Sequence, residues 1–438
     1  MIRVYLHTFG CKTNQYDTEL VRQALEAAGA TAVADPGDAD CAVVNSCTVT
    51  HQSEAKMRGL VRRLARTRRD IRTVVMGCAA ALDDGAIARL PGVVRVVGGA
   101  DAGAVLSALD LPNPAVSTVL RTSCRGARAW VKIQDGCDEH CTFCATTVAR
   151  GTNRSRPAAE IETEASALAA HHEELVLTGV HIGTYGSDLG PGHSLGRLVE
   201  RLVARVARVR FRLSSVEATE VDERLADVMI AAPGRLAPHL HAPLQSGSDR
   251  LLKRMGRHWY TADRYRRRVE WLAGRLSHFG LGADLIVGFP GETDDDHRRT
   301  TAFVERLPFT YLHVFPYSER PGAPARRIGR PVDPAVARAR AAALRDVARD
   351  KGAAYAASRG GGAADVVIVR RRHGRYEGLT GDYLTVYLGG ESPLPDRFDA
   401  RLRLEGGSLW ATAAAAASAG GDAAGAAAAA EAAAHTRS

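Results

Sequence analysis

The first 120 residues alternate short apolar segments with amphipathic stretches. The apolar segments are rich in β-branched residues, as strands are. They cover residues 2–6, 41–44, 72–76 and 93–97. Helical periodicity separates them, near residues 15–29, 51–69 and 84–90. This order of elements is typical of an open, mostly parallel α/β sheet.

A second series of strand-like segments follows, and helical stretches separate its members. The strand-like segments are residues 129–133, 174–177, 209–213, 239–241, 283–287 and 311–315. Six such βα units fit an incomplete TIM-like barrel better than a closed barrel of eight. In such a barrel the loops after the strands carry the chemistry, so functional residues are expected there.

The pattern changes twice more before the chain ends. Residues 334–358 have a long helical pattern rich in Ala and Arg. Beyond Gly360 the period becomes two, which predicts a small all-β module. The last residues form an Ala/Gly tract with almost no large apolar side chains, which predicts disorder. We therefore predict four segments, namely an N-terminal α/β domain, a barrel with a connecting helix, a β module and a disordered tail. Their bounds are 1–120, 121–358, 359–412 and 413–438.

Composition adds two weaker indications. The chain has 438 residues with 45% hydrophobic content, enough for two or three globular domains. No apolar run reaches the length that spans a bilayer, so a cytoplasmic protein is expected. A formal charge of +9 fits a polyanionic partner, but an Arg-rich composition produces the same excess without one.

The cysteines carry the chemical information. In a reducing cytosol, clustered cysteines are more often metal-binding or catalytic than disulfide-bonded. Cys137, Cys141 and Cys144 follow the first barrel strand with C-x3-C-x2-C spacing. Three thiolates hold three irons of a 4Fe-4S cube, and the open fourth iron can chelate S-adenosylmethionine. The alternative is a zinc site, which needs a fourth ligand, and no second cysteine pair follows the loop.

Three further cysteines each come just after a predicted strand of the N-terminal sheet. They are Cys11, Cys47 and Cys78. Open α/β sheets place their ligand crevice at the carboxyl ends of the strands, so these thiols are expected to converge as a second incomplete cluster site. Taken alone, scattered cysteines are mostly small buried hydrophobes. Cys41 begins a strand and Cys124 lies in the predicted linker, so neither is assigned a role.

Several motifs together resemble the methylthiotransferase family of radical S-adenosylmethionine enzymes over residues 1–412. They occupy residues 7–14, 45–50, 136–144, 149–151, 177–183, 243–248 and 286–293. The C-terminal module, with residues 378–383, resembles the TRAM domain, an OB-like RNA-binding barrel. The motifs at 11–14, 132–137 and 177–181 are most similar to the branch that acts on N6-threonylcarbamoyladenosine beside the anticodon of tRNA. The isopentenyladenosine and ribosomal-protein branches are the alternatives.

The resemblance implies a ligand set and a reaction. Cys137, Cys141 and Cys144 would bind a radical-generating 4Fe-4S cluster, and the N-terminal trio would bind an auxiliary 4Fe-4S cluster. Cleavage of S-adenosylmethionine would produce a radical that removes hydrogen from carbon 2 of the adenine. The auxiliary cluster would deliver sulfur, and a second S-adenosylmethionine the methyl group. The implied partners are tRNA, an electron donor such as flavodoxin or ferredoxin, and a sulfur source.

Other candidate residues lie at the tips of barrel strands and on basic segments. Cofactor contacts are expected at Thr178, Gly179, Ser215, Glu217 and Gly288, although turn formation and loop capping explain each position equally well. Phosphate contacts are expected from two basic runs. These are Lys56, Arg58, Arg62, Arg63 and Arg66, and Arg370, Arg371, Arg372 and Arg375. The cluster loop is followed by three arginines expected to hold the target nucleotide, Arg150, Arg154 and Arg156.

Two points stay open at this stage. After Cys144 the family usually has an Ile-Ile-Pro-like stretch, whereas this chain has Ala145, Thr146 and Thr147, so the shape of the pocket at this point is not predicted. The alternative from another functional class is a non-catalytic RNA-binding protein with structural zinc. Such a protein would not absorb near 400 nm and would not consume S-adenosylmethionine.

Overall fold

The computed structural model describes residues 1–114, 118–123, 126–372, 375–389 and 394–413. Its N-terminal unit is a five-stranded parallel sheet with strand order β2-β1-β3-β4-β5. The strands are β1 (Arg3–Thr8), β2 (Thr31–Val33), β3 (Cys41–Ser46), β4 (Arg72–Gly77) and β5 (Val93–Gly98). The helices are α1 (Lys12–Ala27), α2 (His51–Thr67), α3 (Cys78–Ala81) and α4 (Ala102–Ala108). The central strand β3 is buried along its whole length because helices cover both faces of the sheet.

The helix predicted near residues 84–90 is wrong, since this segment consists of turns. Gly85 has a φ of +92°, which a right-handed helix does not allow. The carboxylate of Asp83 accepts hydrogen bonds from the backbone N–H groups of Ile87 (2.8 Å) and Ala88 (3.3 Å). An aspartate that binds nearby backbone in this way competes with helix formation.

Six parallel strands in sequential order form an open barrel, as predicted. They are β6 (Arg128–Lys132), β9 (Glu174–Thr178), β10 (Arg210–Leu213), β11 (His239–His241), β12 (Gly280–Val287) and β13 (Tyr311–Pro316). A short antiparallel pair, β7 (Gln134–Asp135) and β8 (Arg154–Ser155), frames the loop after β6. Within the described residues β13 does not pair with β6. Helix α1 of the N-terminal unit packs against β6 instead.

Helices follow the barrel strands, and all of them except the short helix at residues 146–150 in the cluster loop contribute to the barrel core. They are α5 (Thr146–Arg150), α6 (Ala158–Ala169), α7 (Leu195–Arg205), α8 (Glu223–Ala231), α9 (Asp249–Arg254), α10 (Ala262–Ala273), α11 (Asp294–Arg306) and α12 (Pro334–Arg359). Of the helices in the described part of the chain, none is long and apolar enough to cross a bilayer.

The C-terminal unit is a small closed β-barrel with strand order β14-β15-β16-β18-β17. Its strands are β14 (Ala363–Arg372), β15 (Arg375–Thr380), β16 (Thr385–Gly389), β17 (Arg397–Glu405) and β18 (Ser408–Ala413). The sequence pattern missed β15 and β18. Gly378 interrupts the β-branched pattern of β15, and a Cβ at this position would lie 2.5 Å from Val366. Residues 414–438 of the predicted tail and Cys124 lie outside the described residues.

A buried charge network joins the two barrels at the amino ends of the strands. The carboxylate of Glu174 is fully buried and accepts hydrogen bonds from Arg128 (2.7 Å), Arg210 (2.7 Å) and Arg212 (2.9 Å). Burial opposes ionisation, yet the three guanidinium groups hold the pKa of Glu174 well below its usual range. The two arginines of β10 also donate to four backbone carbonyls of the C-terminal barrel. These belong to Asp365, Leu379, Thr380 and Gly381.

We predict that Glu174→Gln destabilises the protein by about 3–5 kcal/mol, because it leaves buried guanidinium groups without a compensating charge. Urea unfolding measures this loss. The matched control is Glu162→Gln, which removes a carboxylate paired with Arg201 (2.5 Å) near the surface. This control is expected to cost less than about 1 kcal/mol. Equal losses in the free energy of unfolding in the two variants would contradict a stabilising role of the buried network.

Candidate active site

Cys11, Cys47 and Cys78 follow β1, β3 and β4, and they meet around Asn14 on α1. Asn14 Oδ1 lies 3.8 Å from the sulfur of Cys11 and 3.7 Å from that of Cys78. Gly10 approaches Cys47 so closely that a Cβ built on it would lie 2.7 Å from the sulfur. The structure therefore brings the three thiols together at the carboxyl edge of the N-terminal sheet, where the strand order placed them.

Asn14 fixes the loops that carry this trio. Its side-chain amide donates to the backbone carbonyls of Phe9 and Ser46, both at 2.9 Å. Asn45 at the end of β3 donates in turn to the backbone carbonyl of Asn14 at 2.8 Å. Because these groups are buried, each lost bond would leave an unsatisfied polar atom. The position of the trio is thus set by a closed set of buried hydrogen bonds.

Cys137, Cys141 and Cys144 lie in the loop between β7 and α5. The Cys137 sulfur accepts from the backbone N–H of Glu139 at 3.4 Å, and that of Cys144 from Thr146 at 3.3 Å. Gly136 begins the loop with a φ of +71°, and a Cβ there would lie 1.8 Å from the carbonyl oxygen of Thr152. Only glycine fits at this point, so the loop is shaped by its backbone.

The thiols are chemically suited to metal binding. The seven cysteines in the described part of the chain form no disulfide. Burial raises the pKa of Cys47 to about 11 and that of Cys141 to about 12, so both are thiols at neutral pH. Metal binding displaces such protons because a thiolate coordinates far more strongly than a thiol.

A single zinc ion does not fit either trio. Zinc holds sulfur at about 2.3 Å, so its ligand sulfurs lie within about 4 Å of one another. Among the described residues, two groups of three possible ligands have atoms within 4.8 Å of one another, and neither contains a cysteine. They are His181, Glu217 and Glu220, and His241, Asp284 and His313. A cluster whose irons are bound by one cysteine each does not require the three sulfurs to lie this close together.

The predicted cofactor residues fall into two groups. Thr178 and Gly179 end β9, and Ser215 and Glu217 follow β10, all at the end of the barrel that carries the cluster loop. Glu217 is engaged by the protein itself, since it accepts from Trp259 Nε1 at 2.5 Å and pairs with Arg257.

Gly288 lies on another side of the site, under α12. A Cβ at Gly288 would lie 2.6 Å from Ala337, and its N–H donates to Glu292 at 2.5 Å. Its backbone donor is therefore already used within the protein.

The sequence reasoning missed Gln134, His181 and Arg257. Gln134 Oε1 accepts the N–H groups of Val180 and His181 at 3.0 and 2.9 Å, and its amide donates to Gly136 at 2.6 Å. His181 Nδ1 lies 3.7 Å from the Cys137 sulfur, and Arg257 Nη1 lies 3.6 Å from that of Cys141. His181 belongs to the motif at residues 177–183, but its position in the sequence did not indicate a contact with a cysteine.

Arg150 bridges the two cysteine trios rather than facing a substrate. Its Nε donates to the Cys78 sulfur at 3.1 Å, and its Nη2 donates to Asn14 (2.6 Å) and Asp17 (2.9 Å). Its Nη1 binds Asp135 at 3.0 Å, and the side chain is only 6% exposed. The expectation that it holds the target nucleotide is wrong, because all its donors are used inside the protein.

The other two arginines of this segment differ from each other. Arg156 is likewise used internally, by Glu164 at 3.0 Å and by Tyr16 at 3.1 Å, so the nucleotide-holding role is wrong for it too. Arg154 is exposed and donates only to the backbone carbonyls of Thr152 and Arg150. Of the three, it alone remains free to contact a ligand.

An open cleft of about 190 Å³ lies between the segment that follows Cys47 and the loop that carries Cys144. One wall is residues 48–50, next to Cys47, and the other is residues 143–146, which include Cys144. The stretch that departs from the family pattern therefore lines this cleft. Gln245 also lines it and has a φ of +64°, a strained value for a residue other than glycine.

The barrel side of the cleft has both apolar and polar residues, and it contains one carboxylate. Asp284 lines it, and its Oδ1 lies 3.1 Å from His241 and 3.2 Å from His313. Burial opposes ionisation here, but the two imidazoles hold the pKa of Asp284 well below its usual range. The carboxylate is thus charged and held in place at neutral pH.

A basic surface begins at the cleft. Helix α2 starts beside Thr50, which caps it through a hydrogen bond to the N–H of Ser53. Its outer face carries five basic residues that have no carboxylate partner among the described residues. They are Lys56, Arg58, Arg62, Arg63 and Arg66. On the C-terminal barrel, Arg370 pairs with Glu377 (3.2 Å) and Arg371 pairs with Asp396. The α2 face therefore offers the freer cations.

Comparison with known families and proteins agrees with this geometry. Residues 3–99 match the Uncharacterized protein family UPF0004, and residues 131–304 match the Radical SAM superfamily. A radical S-adenosylmethionine methyltransferase from Kitasatospora setae, TsrM, solved with cobalamin and a [4Fe-4S] cluster, has a similar fold. The TM-score is 0.56 at 16% identity, and the match covers 86% of this chain and 80% of that one.

The sequence relatives are much closer. The threonylcarbamoyladenosine tRNA methylthiotransferase MtaB of Bacillus subtilis is 38% identical over 351 residues, which covers 76% of this chain and 77% of the relative. The enzyme of the same name from Thermotoga maritima is 36% identical over 81% of this chain and 84% of its own length. The tRNA-2-methylthio-N(6)-dimethylallyladenosine synthase of Anaplasma phagocytophilum is 30% identical over 92% of this chain and 95% of its own length. On this evidence the chain belongs to the MtaB family of threonylcarbamoyladenosine tRNA methylthiotransferases, within the radical S-adenosylmethionine superfamily.

Proposed function

We propose that this chain converts N6-threonylcarbamoyladenosine beside the anticodon of tRNA to its 2-methylthio derivative. The observation that carries the proposal is a cleft that has Cys144 of the barrel trio in one wall and the residues that follow Cys47 of the N-terminal trio in the other. Methylthiolation of an inert ring carbon needs hydrogen removal and sulfur delivery at the same atom. A site between two clusters satisfies that requirement, whereas two remote clusters would not.

The residues present fit the cofactors of the family, which are two 4Fe-4S clusters and S-adenosylmethionine. Cys137, Cys141 and Cys144 would hold the cluster that binds S-adenosylmethionine, and the N-terminal trio would hold the auxiliary cluster. When bound, these groups supply cleavage of a C–H bond by a radical and transfer of a methylthio group. Thr178, Gly179, Ser215 and Glu217 lie at the strand tips where S-adenosylmethionine would be positioned. Gly288 stays a weaker candidate, because Glu292 uses its N–H.

The protein's own contribution is positioning. Arg150 and Lys132 tie Asp17 of the N-terminal unit to Asp135 of the barrel, with Lys132 Nζ at 2.5 and 3.0 Å from the two carboxylates. Asn14 and Arg150 then hold the auxiliary loop against the cluster loop. These buried charged contacts set the separation of the two trios, and with it the reach of the sulfur donor.

The partners follow from the same reaction. The unpaired cations of α2 lead from the cleft across the surface and suit the phosphates of an anticodon stem. The closed C-terminal barrel, which resembles a TRAM domain, is the second RNA contact that we propose. A small reducing protein such as flavodoxin or ferredoxin would supply electrons, a separate source would renew the sulfur, and the reaction takes place in the cytoplasm with its tRNA.

The first prediction from the proposed function tests the cluster ligands. Anaerobically reconstituted protein should contain about eight irons and eight sulfides, since each 4Fe-4S cube holds four. Replacing Cys137, Cys141 and Cys144 together by Ala should halve both numbers, and so should replacing Cys11, Cys47 and Cys78. Cys41→Ala is the control, since Cys41 is buried in the sheet core, and it should leave the content unchanged. Loss of all metal from one triple variant would contradict two independent clusters.

The second prediction concerns the product. A strain that lacks the gene should have no 2-methylthio-N6-threonylcarbamoyladenosine in digested tRNA, and wild-type protein should restore it. The variant without the barrel trio should not restore it. Loss of the isopentenyladenosine derivative instead would assign the chain to the other tRNA branch. An unchanged nucleoside profile would contradict tRNA as the substrate and leave the ribosomal-protein reaction or a non-catalytic role.

The third prediction concerns Arg150. Arg150→Ala should reduce methylthiolated product by about tenfold or more, because it loosens the spacing of the trios. Cleavage of S-adenosylmethionine should continue, so the ratio of 5′-deoxyadenosine to product should rise. Arg224→Ala is the matched control, since Arg224 is exposed on α8, does not line the cleft and pairs with Glu200 at 2.5 Å. If both activities fall in parallel, Arg150 does not act through the spacing.

A further inference from the structure

Arg320 is a buried cation without a counter-ion in the cleft between the trios. It lines the cleft and is only 4% exposed. Its Nη2 donates to the hydroxyl of Ser318, but its Nε and Nη1 have no hydrogen-bond partner among the described residues. No carboxylate in the described part of the chain pairs with it.

This arrangement is costly for the empty protein. A buried guanidinium normally pairs with a carboxylate, as Arg257 does with Glu217 and Arg359 with Asp382. Two buried donors without acceptors each carry a desolvation penalty that a bound acceptor would remove. Burial lowers the pKa of Arg320, and the nearby Glu54 and Cys47 offset this only in part.

Tyr317 adds a third unsatisfied donor to the same wall. Its hydroxyl is buried and has no hydrogen-bond partner among the described residues, and Tyr317 also lines the cleft. Its ring packs edge-on against Phe289 at 5.6 Å, so the side chain is held in place. In the described part of the chain, Asp284 is the one acidic residue that lines this cleft, and two histidines already engage it.

We propose that Arg320, assisted by Tyr317, binds an oxyanion of the substrate tRNA in the cleft. This rests on the proposed function, which makes the cleft the place of the target nucleoside. A guanidinium carries a fixed positive charge and several N–H donors, so it suits the oxygens of a carboxylate or a phosphate. Two groups of the substrate have this chemistry, namely the carboxylate of the threonylcarbamoyl side chain and a phosphate beside the target nucleotide.

The test uses cluster-loaded protein and two anticodon stem-loops that differ only at the target base. One carries N6-threonylcarbamoyladenosine and the other carries adenosine, which lacks the carboxylate. Dissociation constants are measured for wild type, Arg320→Gln, Arg320→Lys and Tyr317→Phe. The control is Arg326→Gln, which removes an exposed arginine that pairs with Glu319 at 3.2 Å. Iron content and the affinity for S-adenosylmethionine are measured for each protein.

Arg320→Gln is expected to weaken binding of the modified stem-loop by at least about tenfold, with Arg320→Lys intermediate and Tyr317→Phe weaker in effect. If the anion is the carboxylate, the adenosine stem-loop is unaffected. If it is a phosphate, both stem-loops lose affinity equally. The control should change neither.

Three results would overturn the proposal: unchanged affinity for both stem-loops, loss of iron in Arg320→Gln, or loss of affinity for S-adenosylmethionine alone. The last two would assign the side chain to a cluster or to the cofactor. Failure of the proposed function is a separate outcome. Wild-type protein that binds the modified stem-loop but transfers no methylthio group would contradict the reaction and leave the binding result in place.

Discussion

The site depends on one constraint, that two parallel sheets from different units must present their carboxyl edges to a common space. When the carboxyl edges of two sheets face the same space, loops, thiols and helix N-termini come close together. This arrangement alone does not set the distance between the two trios. The distance is set by a cross-linked group of buried charges, in which Arg150 and Lys132 each contact Asp17 and Asp135. Removing one member would leave the others buried and uncompensated, so the group acts as a single spacer.

The same logic explains which features could be read from the sequence. Strand and helix periods are local, and the six cysteines stand directly after strands, so the sheet, the open barrel and the convergence of each trio were predictable. The prediction of a helix at residues 84–90 was wrong because the Asp83 carboxylate binds the local backbone in place of a helical partner. Strands β15 and β18 were not predicted because their composition lacks the β-branched pattern expected of a strand, although both pair within the barrel.

Partnerships across long sequence separations could not be read. Asn14 and Arg150 are 136 positions apart, and Gln134 reaches His181 across 47. Arginine after a cysteine loop looks equally suited to phosphate or to carboxylate, and only the fold decides which lies within reach. For Arg150 and Arg156 the fold supplied carboxylates, whereas for Arg320 it supplied none, and this contrast separates structural cations from a candidate ligand-binding one.

Helix α1 lies within residues 3–99, which match the UPF0004 family. It nevertheless packs against the barrel, where residues 131–304 match the Radical SAM superfamily. Tyr16 on this helix is part of the barrel's apolar core, and its hydroxyl donates to Glu164 on α6 at 3.0 Å. Either half produced without the other would expose apolar surface along the unpaired edge of the barrel. A break in the chain between residues 99 and 131 would therefore separate the barrel from a helix that closes part of its apolar core.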